Sequence, residues 1–160
     1  MFKFGTIGAY KQVRHNPRNK AVIDTYNGYV VIPDDTTGLA PTAATPTIAK
    51  SKDVHVVWNI IDKPEIRNSS DFYIAVGEPV RAFKLTDLVD LPVELSHDVV
   101  KDDFATVAIG AFLVPCDDTT DPTAKGKWKV STATDYGVKI KVLEKTTFGD
   151  KGFYGKVVVQ

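Results

Sequence analysis

The chain has 160 residues, 43% hydrophobic and 10% aromatic, which is enough for one domain with a real core and too apolar for wholesale disorder. Twenty Lys and Arg balance twenty Asp and Glu, so no global field pulls it toward nucleic acid or a membrane surface. The single cysteine, Cys116, excludes an internal disulfide and a thiolate metal cluster, and no apolar run approaches the ~20 residues of a membrane span.

The charge is uneven. Residues 1–20 carry Lys3, Lys11, Arg14, Arg18 and Lys20 and no acid, with Asn16-Pro17 breaking any regular element. This composition predicts a basic extended arm, followed by a β domain over 21–160. The opening stretch MFKFGTIGAYKQ has neither the apolar run nor the cleavage site of a signal peptide, so residence in cytoplasm-like conditions is expected. Short apolar segments at 21–24 and 29–33 flank Asn27-Gly28, a pair that tolerates positive φ and predicts a β-hairpin. Residues 36–49, TTGLAPTAATPTIA, are uncharged, contain two prolines, and predict a long extended loop that orders against a neighbour.

The Val- and Ile-rich run DVHVVWNII over 53–61 predicts a strand. Further strands are expected at 72–76 and 80–85, joined through Gly77-Glu78-Pro79, at 88–95, at 104–109, and at 111–115 after a bend at Gly110. Short helices over 86–89 or 99–104 remain open, and DDTTDPTAKGK over 117–127 reads as a polar loop. The clearest period-2 signal comes last. Trp128, Val130 and Thr132 share one face of a strand, and Val138, Ile140 and Val142 share one face of the next. Lys127, Lys129, Lys139 and Lys141 would then form a wet lysine face if those two strands pair. With Phe153–Val159 this gives an antiparallel C-terminal meander. No tandem repeat recurs at a solenoid period. About ten short strands and no ordinary amphipathic helix predict an all-β fold, a compact antiparallel barrel or sandwich with an N-terminal arm and a long Pro/Thr/Ala loop.

No motif carries chemistry. Ser96-His97-Asp98 has the alphabet of a catalytic triad, but neighbouring side chains diverge and cannot converge as one. The acidic pairs at 34–35, 102–103 and 117–118 lack calcium-loop spacing. The reading is a non-enzyme with no cofactor, no metal, and no direct nucleic-acid or membrane partner.

Four stretches, YNGYVVIPDDTTGLA, VVWNIIDKPEIRNSSDFYIAVGEPVRAFKL, GAFLVPCDDTTDPTAKGKWKV and KVLEKTTFGDKGFYGKVVV, together resemble small head-associated structural proteins of tailed bacteriophages over residues 26–160. The resemblance implies a capsid decoration protein: a virion component assembled in the host cytoplasm that binds the outside of the head and braces major capsid protein subunits. A homo-oligomeric state is left open. No family residue transfers position by position. The partner-contacting residues expected from arm and loop are Lys3, Lys11, Arg14, Arg18, Lys20, Leu39, Pro41, Pro46 and Ile48. Two other classes fit the same strands: another virion part, such as a head–tail adaptor, tail or fibre-base protein, and a small β-barrel ligand-binding protein or enzyme.

Overall fold

The structure is a computed structural model that describes residues 2–4, 15–16, 19–43, 49–61, 65, 71–146 and 151–160. Its strands are β1 (Phe2–Phe4), β2 (His15–Asn16), β3 (Lys20–Ala21), β4 (Thr25–Tyr26), β5 (Val30–Val31), β6 (Leu39–Ala40), β7 (His55–Val57), β8 (Tyr73–Ile74), β9 (Ala82–Lys84), β10 (Pro92–Ser96), β11 (Phe112–Pro115), β12 (Trp128–Val130), β13 (Val138–Lys145) and β14 (Gly152–Val159). Short 3-10 turns at Leu85–Leu88, His97–Val99 and Pro122–Ala124 connect them. The fold is all-β.

The largest sheet runs β1-β10-β14-β13-β11-β12, antiparallel throughout. A four-stranded antiparallel sheet runs β2-β9-β7-β5. Two ribbons complete the set, parallel β3-β6 and antiparallel β4-β8. The expected all-β class holds, but none of the described sheets closes on itself, so of the expected barrel or sandwich the barrel does not form.

The long strands follow their alternation. Val138, Ile140 and Val142 of β13 are buried, as are Trp128, Phe153 and Val157. β14 lies so close to β13 at its bulge that a Cβ on Gly155 would sit 2.5 Å from the Lys141 carbonyl oxygen, so only glycine fits there.

Several expectations are corrected. Asn27-Gly28 does form a turn, but its flanks separate, β4 going to β8 and β5 to β7, so there is no hairpin between them. Residues 104–109 form turns instead of a strand. β12 pairs with β11 and not with β13, which dissolves the lysine face. Lys139 is buried with its ammonium 5.3 Å from the Phe112 ring centroid, and Lys129 pairs with Asp117.

The described pieces of the basic segment are hydrogen-bonded into the body. β1 pairs with β10, and Phe2 is fully buried in the main core. β2 pairs with β9. The Pro/Thr/Ala stretch is anchored at both described ends, because Ala43 and Ala49 are buried in one cluster with Val114 and Tyr136.

The two sheets are built on the same plan. In chain order the first four-stranded unit is β2, β5, β7, β9; the second is β10, β11, β13, β14. In each unit the first strand pairs with the fourth, the fourth with the third, and the third with the second. The hydrogen bonds repeat in detail. The Tyr29 N–H donates to the Tyr26 carbonyl at 3.0 Å across a turn with Gly28 at φ 100°, and the Ala111 N–H donates to Ala108 at 3.2 Å across a turn with Gly110 at φ 88°. Gly28 donates to Val57 and Val57 to Tyr29, just as Gly110 donates to Val142 and Val142 to Ala111.

Each second strand then turns back on itself. Asp34 donates to the Leu39 carbonyl and Cys116 to the Lys127 carbonyl, with Gly38 and Gly126 both at positive φ. Each returning segment also takes a parallel neighbour, Ala21 beside Ala40 and Val100 beside Trp128. The sequence carries the trace, with GYVVIPDDTT at 28–37 and GAFLVPCDDTT at 110–120. The domain is therefore an internally duplicated β unit.

The units meet where the second unit's returning segment rests on the first unit's turn. The Gly126 carbonyl accepts the Val30 N–H at 2.7 Å, and the buried Trp128 indole N–H donates to the Gly28 carbonyl at 2.8 Å. Gly126 lies against the Tyr29 ring, where a Cβ would come within 2.6 Å of Cδ2. Trp128→Ala removes the largest buried side chain together with this hydrogen bond, and should cost about 3–5 kcal/mol in a urea titration. A cost under about 1 kcal/mol would place the indole outside the core.

Candidate docking surface

The triad alphabet is spent on a turn. The Ser96 hydroxyl donates to the Asp98 carboxylate at 2.9 Å and accepts the Asp98 N–H at 3.2 Å, capping the 3-10 turn that follows. His97 lies edge-on to Phe104. Cys116 is buried, and burial pushes its thiol upward, away from the nucleophilic thiolate. Among the described residues no three His, Cys, Asp or Glu side chains gather as a metal site.

The acidic loop is an ion-pair network. Asp117 pairs with Lys129 and accepts the Tyr136 hydroxyl, and Lys101 bridges Asp118 and Asp121. Lys50 pairs with Asp135 and lies over the Tyr136 ring, tying the end of the Pro/Thr/Ala stretch to the turn before β13. These charges are engaged in holding loops.

Among the described residues most of the exposed large apolar side chains lie on the first unit, with Ile109 and Leu143 exposed on the second. Ile60, Ile61, Tyr73 and Val76 are exposed, Ile60 at 69% and Val76 at 62%. Hydrogen bonds draw their segments side by side. Asn59 donates from Nδ2 to the Pro79 carbonyl and exchanges bonds with Asn27, while the Val76 N–H reaches Asp24 and the Gly77 N–H reaches the Ala21 carbonyl. Tyr73 pairs with Tyr26 across β4-β8, their ring centroids 6.2 Å apart.

Lys20 lies exposed in β3, between Leu39 on one side and Pro79 on the other. Beyond Asp24 opens a groove of about 470 Å³ lined by Ile23, Asp24, Tyr29, Pro122, Thr123, Lys125 and Lys127. Burial pushes the Tyr29 hydroxyl up to about 12, so it stays protonated. Lys125 and Lys127 form no ion pair among the described residues, unlike Lys101 and Lys129 beside them. The surface is thus an apolar patch next to a cationic groove. It is suited to an extended protein segment with apolar and acidic side chains.

Of the residues expected to touch a partner, Lys20 and Leu39 are Cα partners in the β3-β6 ribbon, and Lys20, Leu39 and Pro41 are all exposed. The backbone of Lys3 is held in β1. Lys11, Arg14, Arg18, Pro46 and Ile48 lie outside the described residues. Sequence reasoning missed Ile60, Ile61, Tyr73 and Val76, because in strand-like runs an exposed apolar residue reads the same as a core one. Compared with protein-family models, curated proteins and solved structures, the chain matches none.

The ion pairs set an acid limit. Lys101, then Thr120 and the backbone N–H groups of Thr120 and Asp121, hold Asp118 well below the ordinary 3.8. Partial burial pushes Asp117 up, but Lys129 and the Tyr136 hydroxyl outweigh it and the net direction is down. Carboxylates whose folded pKa is depressed stabilise the fold fully above the unfolded value, and that contribution is lost as pH falls through the folded value. The urea midpoint should therefore hold steady down to about pH 5 and drop below about pH 4. Asp118→Asn should start lower at neutral pH and lose less on acidification. Parallel pH curves for the two proteins would count against the network.

Proposed function

We propose that this protein is a non-enzymatic virion structural protein that binds the outside of a phage capsid and reinforces contacts between major capsid protein subunits. The observation that carries the reading is the exposed apolar patch of Ile60, Ile61, Tyr73 and Val76 beside Lys20 and the Lys125–Lys127 groove. An apolar centre with a charged rim is the anatomy of a protein-binding surface. The resemblance to phage head-associated proteins names the partner class. A symmetric shell also offers many equivalent sites, so modest affinity at each suffices for occupancy.

The test is co-sedimentation with purified heads that lack the protein. Wild type should pellet with the heads. Tyr73→Asp combined with Val76→Asp should abolish pelleting while leaving a cooperative fold, its thermal midpoint lowered only by the loss of the Tyr73–Tyr26 ring contact. Lys125→Glu with Lys127→Glu should weaken binding and flatten its salt dependence, because exposed charges are screened over about 8 Å at physiological ionic strength. Full occupancy by the Tyr73/Val76 variant would remove the patch from the interface. Failure of wild type to bind any head would end the capsid reading.

A further inference from the structure

The duplication repeats, at a second place on the chain, the two segments that meet at the inter-unit seam. Inside the chain, the returning segment of the second unit, Gly126–Trp128, rests on the first unit's turn, Gly28–Val30. Each partner has a counterpart. The equivalent of Gly126–Trp128 is Gly38–Ala40, and the equivalent of the Gly28 turn is Ile109–Phe112.

These counterparts are open at their turns, although the Gly38 carbonyl accepts the Lys20 N–H and Ala40 is buried. A Cβ on Gly38 or on Gly110 would meet nothing within 4 Å, whereas at Gly126 it would strike Tyr29. Leu39 is 40% exposed and Ile109 66% exposed. Leu143 is also exposed. It follows Val142, the residue whose carbonyl accepts the Gly110 N–H, and so flanks the same turn.

The chemistry of the open pair differs from that of the closed one in a matched way. In the closed seam Lys127, the counterpart of Leu39, lines a groove with Asp24. Asn27, the counterpart of Ile109, is buried and hydrogen-bonded to Asn59. At the open positions polar residues give way to apolar ones on both sides, Lys127 to Leu39 on the hairpin and Asn27 to Ile109 at the turn, while Leu143 corresponds to Trp58 and is apolar in both units. Complementary apolar change at both members of a pair that is not in contact within the chain points to a contact made between chains.

We propose that a second copy of this chain occupies these surfaces, with the Gly38–Ala40 hairpin of one copy docking on the Ile109–Phe112 turn of the next. Leu39 then fills the space beside Ile109 and Leu143. The contact joins two different patches, so it is directional and either closes a ring or extends along a lattice. It uses neither Tyr73 nor Val76, and it stands independently of the capsid reading.

The test pairs two single-cysteine variants, Leu39→Cys and Ile109→Cys, mixed in equal amounts and treated with a short bismaleimide. Cys116 is buried and does not compete. The mixed Leu39–Ile109 adduct should exceed the random proportion, and each variant alone should cross-link poorly. A random distribution, or dominance of either same-site adduct, overturns the proposal. Sedimentation velocity gives the second reading. Wild type should gain mass with concentration, while Leu39→Asp and Ile109→Asp should stay monomeric with unchanged thermal midpoints. Wild type that remains monomeric at every soluble concentration also overturns it. Because Ile109 belongs to none of the residues assigned to the capsid surface, Ile109→Asp should still pellet with heads, and failure of self-association is thereby distinguishable from failure of capsid binding.

Discussion

One buried indole holds the two halves of this protein in register. Trp128 is fully buried in a core to which both sheets contribute, and its N–H has to find an acceptor, because a buried donor without one costs about 1–3 kcal/mol. The acceptor is the carbonyl of Gly28, a hundred residues away in sequence. Gly126 provides the close approach against Tyr29 that this contact requires, and its own carbonyl takes the Val30 N–H. The first unit's strands are only two or three residues long, so their ladders supply few hydrogen bonds. Docking against the longer strands of the second unit compensates for that.

The duplication also explains how the surface is divided. The second unit is the framework. It carries the eight-residue strands and the ion-pair network of Asp117, Asp118, Lys101 and Lys129 that fixes its loop. The first unit carries irregular connections, the β3-β6 and β4-β8 ribbons, and the exposed Ile60, Tyr73 and Val76. Of two copies of one plan, one has the longer strands and the ion pairs, and the other has most of the exposed apolar side chains among the described residues.

Much of the second half was legible in the sequence, and for a plain reason. Over eight residues, alternation such as Val138, Ile140 and Val142 outweighs local noise. In the first half the strands are shorter than one period of reliable pattern, so Asn27-Gly28 predicts a hairpin where its flanks in fact go to different sheets. Lys139 defeats alternation in another way. Its ammonium lies over the Phe112 ring and reaches the Thr134 carbonyl, so a lysine at a nominally wet position is buried. The arm reads as detached from its charge alone, yet Phe2 is a core residue, and a single phenylalanine beside a lysine gives no periodic signal. The repeat lies far outside solenoid periods. Its trace is confined to the strand and turn of GYVVIPDDTT and GAFLVPCDDTT, while the insertion after the second DDTT hides the rest.

That the seam makes one cooperative body of two units is most directly tested by native-state hydrogen exchange at increasing denaturant. The Val30 amide bonds across the seam to Gly126, the Val57 amide lies within the first unit, and the Val142 amide lies in the centre of the second. If the seam couples the units, all three exchange through the same global unfolding, with one free energy and one denaturant slope. If Val30 and Val57 exchange through a separate opening with a smaller slope while Val142 stays protected, the first unit unfolds alone and the seam does not hold the halves together.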